Sequence, residues 1–248
     1  MKPLSTSRFV AGLLLVTLSL AAAVFVWAGS RQNNHVVRLE NKTRSLIAES
    51  VQDLGESQGK SRFAVTVRNG YDKPIAAYTI RVEDSSTGKD EISAVESSGL
   101  VDDWTLAPNS TDTARVYASS DGNVVLTVYA VMFEDGTGDG DKDDLTRLQE
   151  VRAGVKLAYQ RIAPILRRAA SEHKGGAPAK AAQSLDAEVT AISDEGVPMN
   201  SKRGFAQARD YVRSELKQLK DKLTSEPDTY GQEVEKKAKA IEKALARL

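Results

Sequence analysis

The sequence predicts an α+β protein. An N-terminal transmembrane or signal helix comes first, then an antiparallel immunoglobulin-like β-sandwich, then a C-terminal α-helical segment with a helical hairpin. Three observations predict this. An uncharged apolar run opens the chain, period-two alternation fills residues 35–134, and apolar residues recur every three or four positions across residues 142–248.

The apolar run is "FVAGLLLVTLSLAAAVFVWA", Phe9 to Ala28. At about 1.5 Å per residue its helix spans roughly 30 Å, the thickness of a bilayer's hydrocarbon core. Lys2 and Arg8 precede it, which places the N-terminus in the cytoplasm and the rest of the chain outside. Residues 1–30 therefore read as a signal-anchor, with the membrane contact through residues 9–28. The competing reading is a cleaved signal peptide, because Val26-Trp27-Ala28 offers small residues before a cut at Gly29. The run exceeds the usual signal core of about 7–15 residues, which favours the anchor. Under either reading the chain is exported, to a bacterial periplasm or cell surface if anchored and into the medium if cleaved.

Strands come next. "HVVRLEN" and "SLIAESV" begin the sandwich, and "RFAVTVRN" puts Phe63, Val65 and Val67 on one face. "GYDKP", Gly70 to Pro74, is a turn into "IAAYTIRVED", where Ala76, Tyr78, Ile80 and Val82 alternate inward. Trp104 and Leu106 predict a short strand ended by "APNST". "TARVYAS", the "SDGN" turn and "VVLTVYAVMF" complete the series. The last run is apolar on both faces, as expected of a central strand covered on each side. About seven strands at this spacing suit a sandwich, a scaffold that binds or spaces more often than it catalyses.

Helical periodicity takes over after Asp144, with Leu145, Leu148, Val151, Val155, Ala158, Ile162 and Leu166 on one stripe. Pro164 is expected to kink that helix or end its regular part. "HKGGAPAK" breaks the pattern near residues 174–180, and a shorter helix carries Leu185, Val189 and Ile192. A third helix begins near Ser201. "SEPD", Ser225 to Asp228, separates it from a fourth, and the two resemble an antiparallel hairpin.

Composition limits the chemistry. Basic and acidic residues both number 34, which argues against a nucleic-acid binder. Residues 201–248 hold 12 basic and 8 acidic side chains, a surplus that reads as a solvated helix face. With no cysteine, disulfides and thiolate metal sites are excluded. That fits a bacterial envelope protein better than a small eukaryotic secreted domain. His35 and His173 belong to no zinc motif. "GESQG", Gly55 to Gly59, matches the serine-hydrolase pattern with Ser57 in the nucleophile's place, but a strand follows where that chemistry needs a helix. The pentapeptide reads as a loop between strands.

The stretch "FEDGTGDGDKDD", Phe133 to Asp144, is the densest in chemistry, with six acidic residues in twelve. Calcium wants six to eight oxygens, and alternating carboxylates on a tight loop supply them. Neither register of the stretch satisfies an EF-hand: counting from Asp139 puts Asp144 where glycine belongs, and counting from Asp135 puts Thr146 at the twelfth position. A looser calcium site would use Asp135, Asp139, Asp141 and Asp143. The plainer expectation is a strand-to-helix joint whose carboxylates favour the positive end of the following helix. No cofactor is expected beyond such a cation. The expected function is thus a non-enzymatic, membrane-tethered protein that binds or spaces an envelope or extracellular protein partner. A calcium-dependent adhesion or regulatory module and an unidentified hydrolase are the alternatives.

Overall fold

A computed structural model describes residues 37–84, 95–96, 104–119, 123–172, 178–223 and 229–248. The apolar leader, both histidines, and the expected breaks at 120–122, 173–177 and 225–228 lie outside the described residues. Among the described residues no helix is long and apolar enough to cross a membrane.

Among the described residues eight strands, β1 (Val37–Asn41), β2 (Leu46–Ser57), β3 (Lys60–Asn69), β4 (Ile75–Asp84), β5 (Val95–Glu96), β6 (Thr111–Ser119), β7 (Val124–Phe133) and β8 (Gly138–Gly140), precede four α-helices. These are α1 (Lys142–Glu172), α2 (Pro178–Thr190), α3 (Lys202–Leu223) and α4 (Tyr230–Arg247). One sheet has the order β1-β7-β4-β5, with β8 paired to β7 beyond the end of β1. The other has the order β2-β3-β6. The chain is α+β as the sequence predicts.

Alternation in β3 works as expected, with Phe63, Val65 and Val67 fully buried. They face Tyr78, Ile80 and Val82 of β4 and Leu126, Val128 and Val131 of β7 across one core shared by both sheets. The opposite face of the first sheet is covered by helices. Ala77, Ala130 and Met132 belong to a second core with Leu148, Val155 and Ile162 of α1. Strand β7 is thus buried on both sides, which is why its ten residues read as one apolar run. Irregular pairing between Thr79/Ile80 and Ala130/Val128 leaves Tyr129 as the extra residue of a bulge. The bulge shifts the alternation by one, so Val128 and Val131 both face the core shared by the two sheets.

Four expectations need correction. The strands are not all antiparallel: β1 runs parallel to β7, from Val37 opposite Val124 to Asn41 opposite Val128. Alternation reports which face is buried but not strand direction, so the sequence pattern could not reveal this. Trp104 and Leu106 form no strand; Leu106 makes a single bridge to Ile75. Pro164 does not end α1, which continues through it to Glu172 with the proline on its exposed side. Finally, α3 and α4 do not pair chiefly with each other. Both lie against α1, while α2 packs on α3, so α1 is the hub of the helices.

The α1–α3 crossing depends on two glycines. A Cβ at Gly154 would fall 2.0 Å from the Ser201 carbonyl oxygen and 2.7 Å from the Phe205 nitrogen. One at Gly204 would fall 2.0 Å from the Val151 oxygen. These partners are backbone atoms that cannot rotate away, so only hydrogen fits at either position.

Candidate functional site

The acidic stretch leaves β7 at Phe133, turns, returns as β8 and enters α1. Its carboxylates divide the work of holding that path. Asp135 Oδ1 accepts from the Thr137 backbone (3.0 Å) and hydroxyl (2.5 Å), which closes the β7–β8 turn. Its Oδ2 lies 2.7 Å from Lys73 Nζ, tying that turn to the β3–β4 turn. The Lys73 ammonium, followed by the two Thr137 donors, holds the Asp135 carboxyl below its usual range.

Asp139, in β8, reaches sideways. Its Oδ2 accepts from Arg44 N (2.6 Å), Ser45 N (2.9 Å) and Ser45 Oγ (2.9 Å), so one oxygen anchors the β1–β2 loop. Next to it, Gly140 has φ +109° and a Cβ there would meet the Tyr129 oxygen at 2.2 Å, so glycine is required. Asp141 is the N-cap of α1, its Oδ1 accepting from Asp143 N (3.0 Å) and Asp144 N (3.2 Å). Asp143 is exposed in the first helical turn, where a negative charge suits the helix dipole. The four proposed ligands therefore do not converge. Among the described residues, no group of three or more histidines and carboxylates is placed to hold a metal ion.

The residue that sequence reasoning missed is Asp144, whose side chain is completely buried. Arg81 Nη2 of β4 lies 2.6 Å from its Oδ2, and Arg147 Nη1 of α1 donates to its Oδ1 at 2.9 Å. The Arg81 contact is ionic, since among the described residues neither Asp144 Oδ2 nor Arg81 Nε has an aligned hydrogen-bond partner. Burial pulls the Arg81 guanidinium down, but the Asp144 carboxylate outweighs it and the group stays firmly charged. Arg81 also stacks on Tyr129, its guanidinium carbon 4.2 Å from the ring centre, while Lys42 Nζ approaches the same ring at 3.8 Å. The Tyr129 hydroxyl donates to Glu83 Oε1 at 2.8 Å. A signal for this cluster was present: Arg81 sits between the apolar Ile80 and Val82 in a strand with a neighbour on each side, and a charge buried there must find a partner.

A second strap joins the far side of α1. Arg152 Nη2 donates to the Glu134 carbonyl at 3.0 Å and to the Arg247 carbonyl, and Arg247 Nη2 donates to Glu134 Oε1 at 2.7 Å. Burial, then the neighbouring Arg247 charge, pulls the Arg152 guanidinium down. Thus the start of α1, the end of α4 and the β7–β8 turn are fastened together.

Ser57 sits elsewhere. Gly55 to Ser57 belong to β2, Ser57 pairs with Lys60, and Gln58 and Gly59 form a two-residue turn with φ of 54° and 71°. Positive φ at both positions matches a hairpin turn, not a strand-to-helix elbow. Surface hollows occur among the helices. One of about 580 Å³ lies between α1 and α4, with Arg167, Arg168, Ser171, Glu235, Lys239 and Glu242 on its walls. It is an open groove of mixed charge, crossed by the Arg167–Glu242 ion pair. What the acidic joint can do chemically is accept hydrogen bonds and fix geometry. Compared with known proteins, the chain matches no family model, no curated protein and no solved structure.

Proposed function

We propose that this chain is an exported, membrane-tethered, non-enzymatic protein whose immunoglobulin-like sandwich and helices bind or space a protein partner in the cell envelope. The observation that carries the reading is the continuous coupling of sheet to helices. The face of the first sheet bearing Ala77, Ala130 and Met132 shares its core with α1, and the Asp144 and Arg152 contacts fasten both margins. A spacer must hold one shape between its attachment points, and a binding module gains affinity when its surface is preorganised. Three of the carboxylates richest in apparent chemistry, Asp135, Asp139 and Asp141, serve that rigidity by accepting from nearby backbone or cationic groups. Export rests on the leader, whose apolar length and flanking basic residues suit an anchor.

Two linked measurements test this. External protease added to intact cells or spheroplasts expressing the full chain is expected to degrade the folded part while a cytoplasmic marker survives. Crosslinking of the tagged full chain in its native membrane is then expected to yield one recurrent protein adduct. Protection of the folded part until the membrane is broken would contradict the export reading.

A further inference from the structure

Helix α4 packs on α1 through Tyr230, Val234, Ala238, Ile241 and Ala244, which are buried. Lys236, Lys239 and Lys243 recur at spacings of three and four and are all exposed, so they form one ridge on the side away from that core. Of the acidic residues of α4, Glu235 stands beside this ridge and the other two lie off it. Glu242 is half-buried and turned to Arg167 of α1, and Glu233 is half-buried near the start of the helix. Glu235 reaches up to Lys239 at 2.6 Å, an exposed contact that holds little free energy against competing anions. Lys237 and Arg247 are committed to Glu215 and Glu134. The ridge runs about 10 Å along the helix at about 1.5 Å per residue, and Gln232 and Ala246 extend it without negative charge.

From this charge segregation we propose that the outer ridge of α4 docks on anionic phospholipid headgroups. The proposal deepens the membrane-tethered reading and rests on it. Three lysines alone bind a charged bilayer weakly, but a chain already anchored at Phe9 to Ala28 pays no further cost of encounter. A tether plus a basic patch is the two-signal arrangement that makes peripheral contact persistent. The convex edge of a helix also meets a flat surface without needing a pocket.

The chain contains no cysteine, so Gln232→Cys gives the full-length protein a single labelling site beside the ridge. The labelled chain is mixed with vesicles of neutral phosphatidylcholine, or with vesicles containing about a third phosphatidylglycerol, each carrying a headgroup acceptor dye. Flotation with neutral vesicles reads the tether. Energy transfer from residue 232 reads the ridge, and is expected to rise in anionic vesicles and fall with added salt. The triple variant Lys236→Gln, Lys239→Gln, Lys243→Gln is expected to weaken the anionic-dependent component roughly 100-fold, with flotation on neutral vesicles and thermal melting unchanged. Equal transfer from both vesicle types, or a triple variant behaving as the parent, would overturn the ridge proposal. A chain that fails to float with neutral vesicles yet shows salt-sensitive transfer in anionic ones would overturn the tether and support the ridge.

Discussion

Helix α1 is held in two places by opposite means. At its first turn the contacts are polar and directional: Asp141 caps it, and buried Asp144 binds Arg81 and Arg147. Midway along, at Gly154, the contact with α3 is purely one of shape, the two backbones meeting where no side chain intervenes. The polar end fixes which way the helix leaves the sheet, since a buried carboxylate has few acceptable positions. The glycine crossing fixes how near the other helices lie. One fails when a charge is removed, the other when a methyl group is added.

The largest effect is expected at the polar end. Asp144→Ala strands Arg81 beneath the helix without its counter-ion, and denaturant unfolding should report a loss of about 3–5 kcal/mol. Asp143→Ala, one residue away and exposed, should change stability by no more than about 0.5 kcal/mol. Equal effects at the two positions would break the distinction between buried and solvated carboxylates. Next comes Gly154→Ala. On an open helix the change would stabilise by up to about 1 kcal/mol, but here the methyl meets backbone at 2.0 Å, so the sign reverses to a loss of about 1–3 kcal/mol. A variant as stable as the parent would show that α1 and α3 are not this close.

The two sheets offer a third contrast, a polar bolt between them. Tyr78 is buried and its hydroxyl donates to Asp112 Oδ2 at 2.6 Å. Burial first, and then that bond, raise the phenol above its ordinary value near 10. A raised folded-state value means the contribution is intact below pH 10 and is lost as pH rises beyond it, because the unfolded chain ionises first. Stability is expected to fall above pH 10, and Tyr78→Phe should flatten that fall while losing about 1 kcal/mol at neutral pH. An alkaline limb unchanged in the variant would assign the fall to other groups. The smallest expected effect is that of calcium. At millimolar concentration it should leave the melting temperature and the heat of titration at baseline, since Asp135, Asp139 and Asp141 already accept protein donors. A clear upward shift would restore the cation reading.

Much of this architecture was legible in the chain. The change from period two to a helical stripe near Asp144 marks the real junction, and the doubly apolar β7 run marks the real central strand. What alternation cannot encode is direction, so the parallel pairing of β1 with β7 was invisible. Nor does spacing alone reveal that Gly154 meets the backbone of Ser201 and Phe205, or that Gly204 meets that of Val151. The acidic stretch was recognised as a joint, but its most consequential member was overlooked. In sequence Asp144 is one carboxylate among six; in the fold Arg81 approaches it from β4. Long-range partners, not local composition, decide which charge is buried.

The account depends on sheets and helices behaving as one body through the joint at residues 133–144. Trp104, half-buried against Tyr78 with ring centres 6.0 Å apart, reports on the sheets; far-ultraviolet dichroism reports on the helices. In a Trp27→Phe background Trp104 is the sole tryptophan, so denaturant titration can follow both signals in one sample. The account predicts a single transition with coincident midpoints. Helical signal lost at clearly lower denaturant while Trp104 stays native would contradict it.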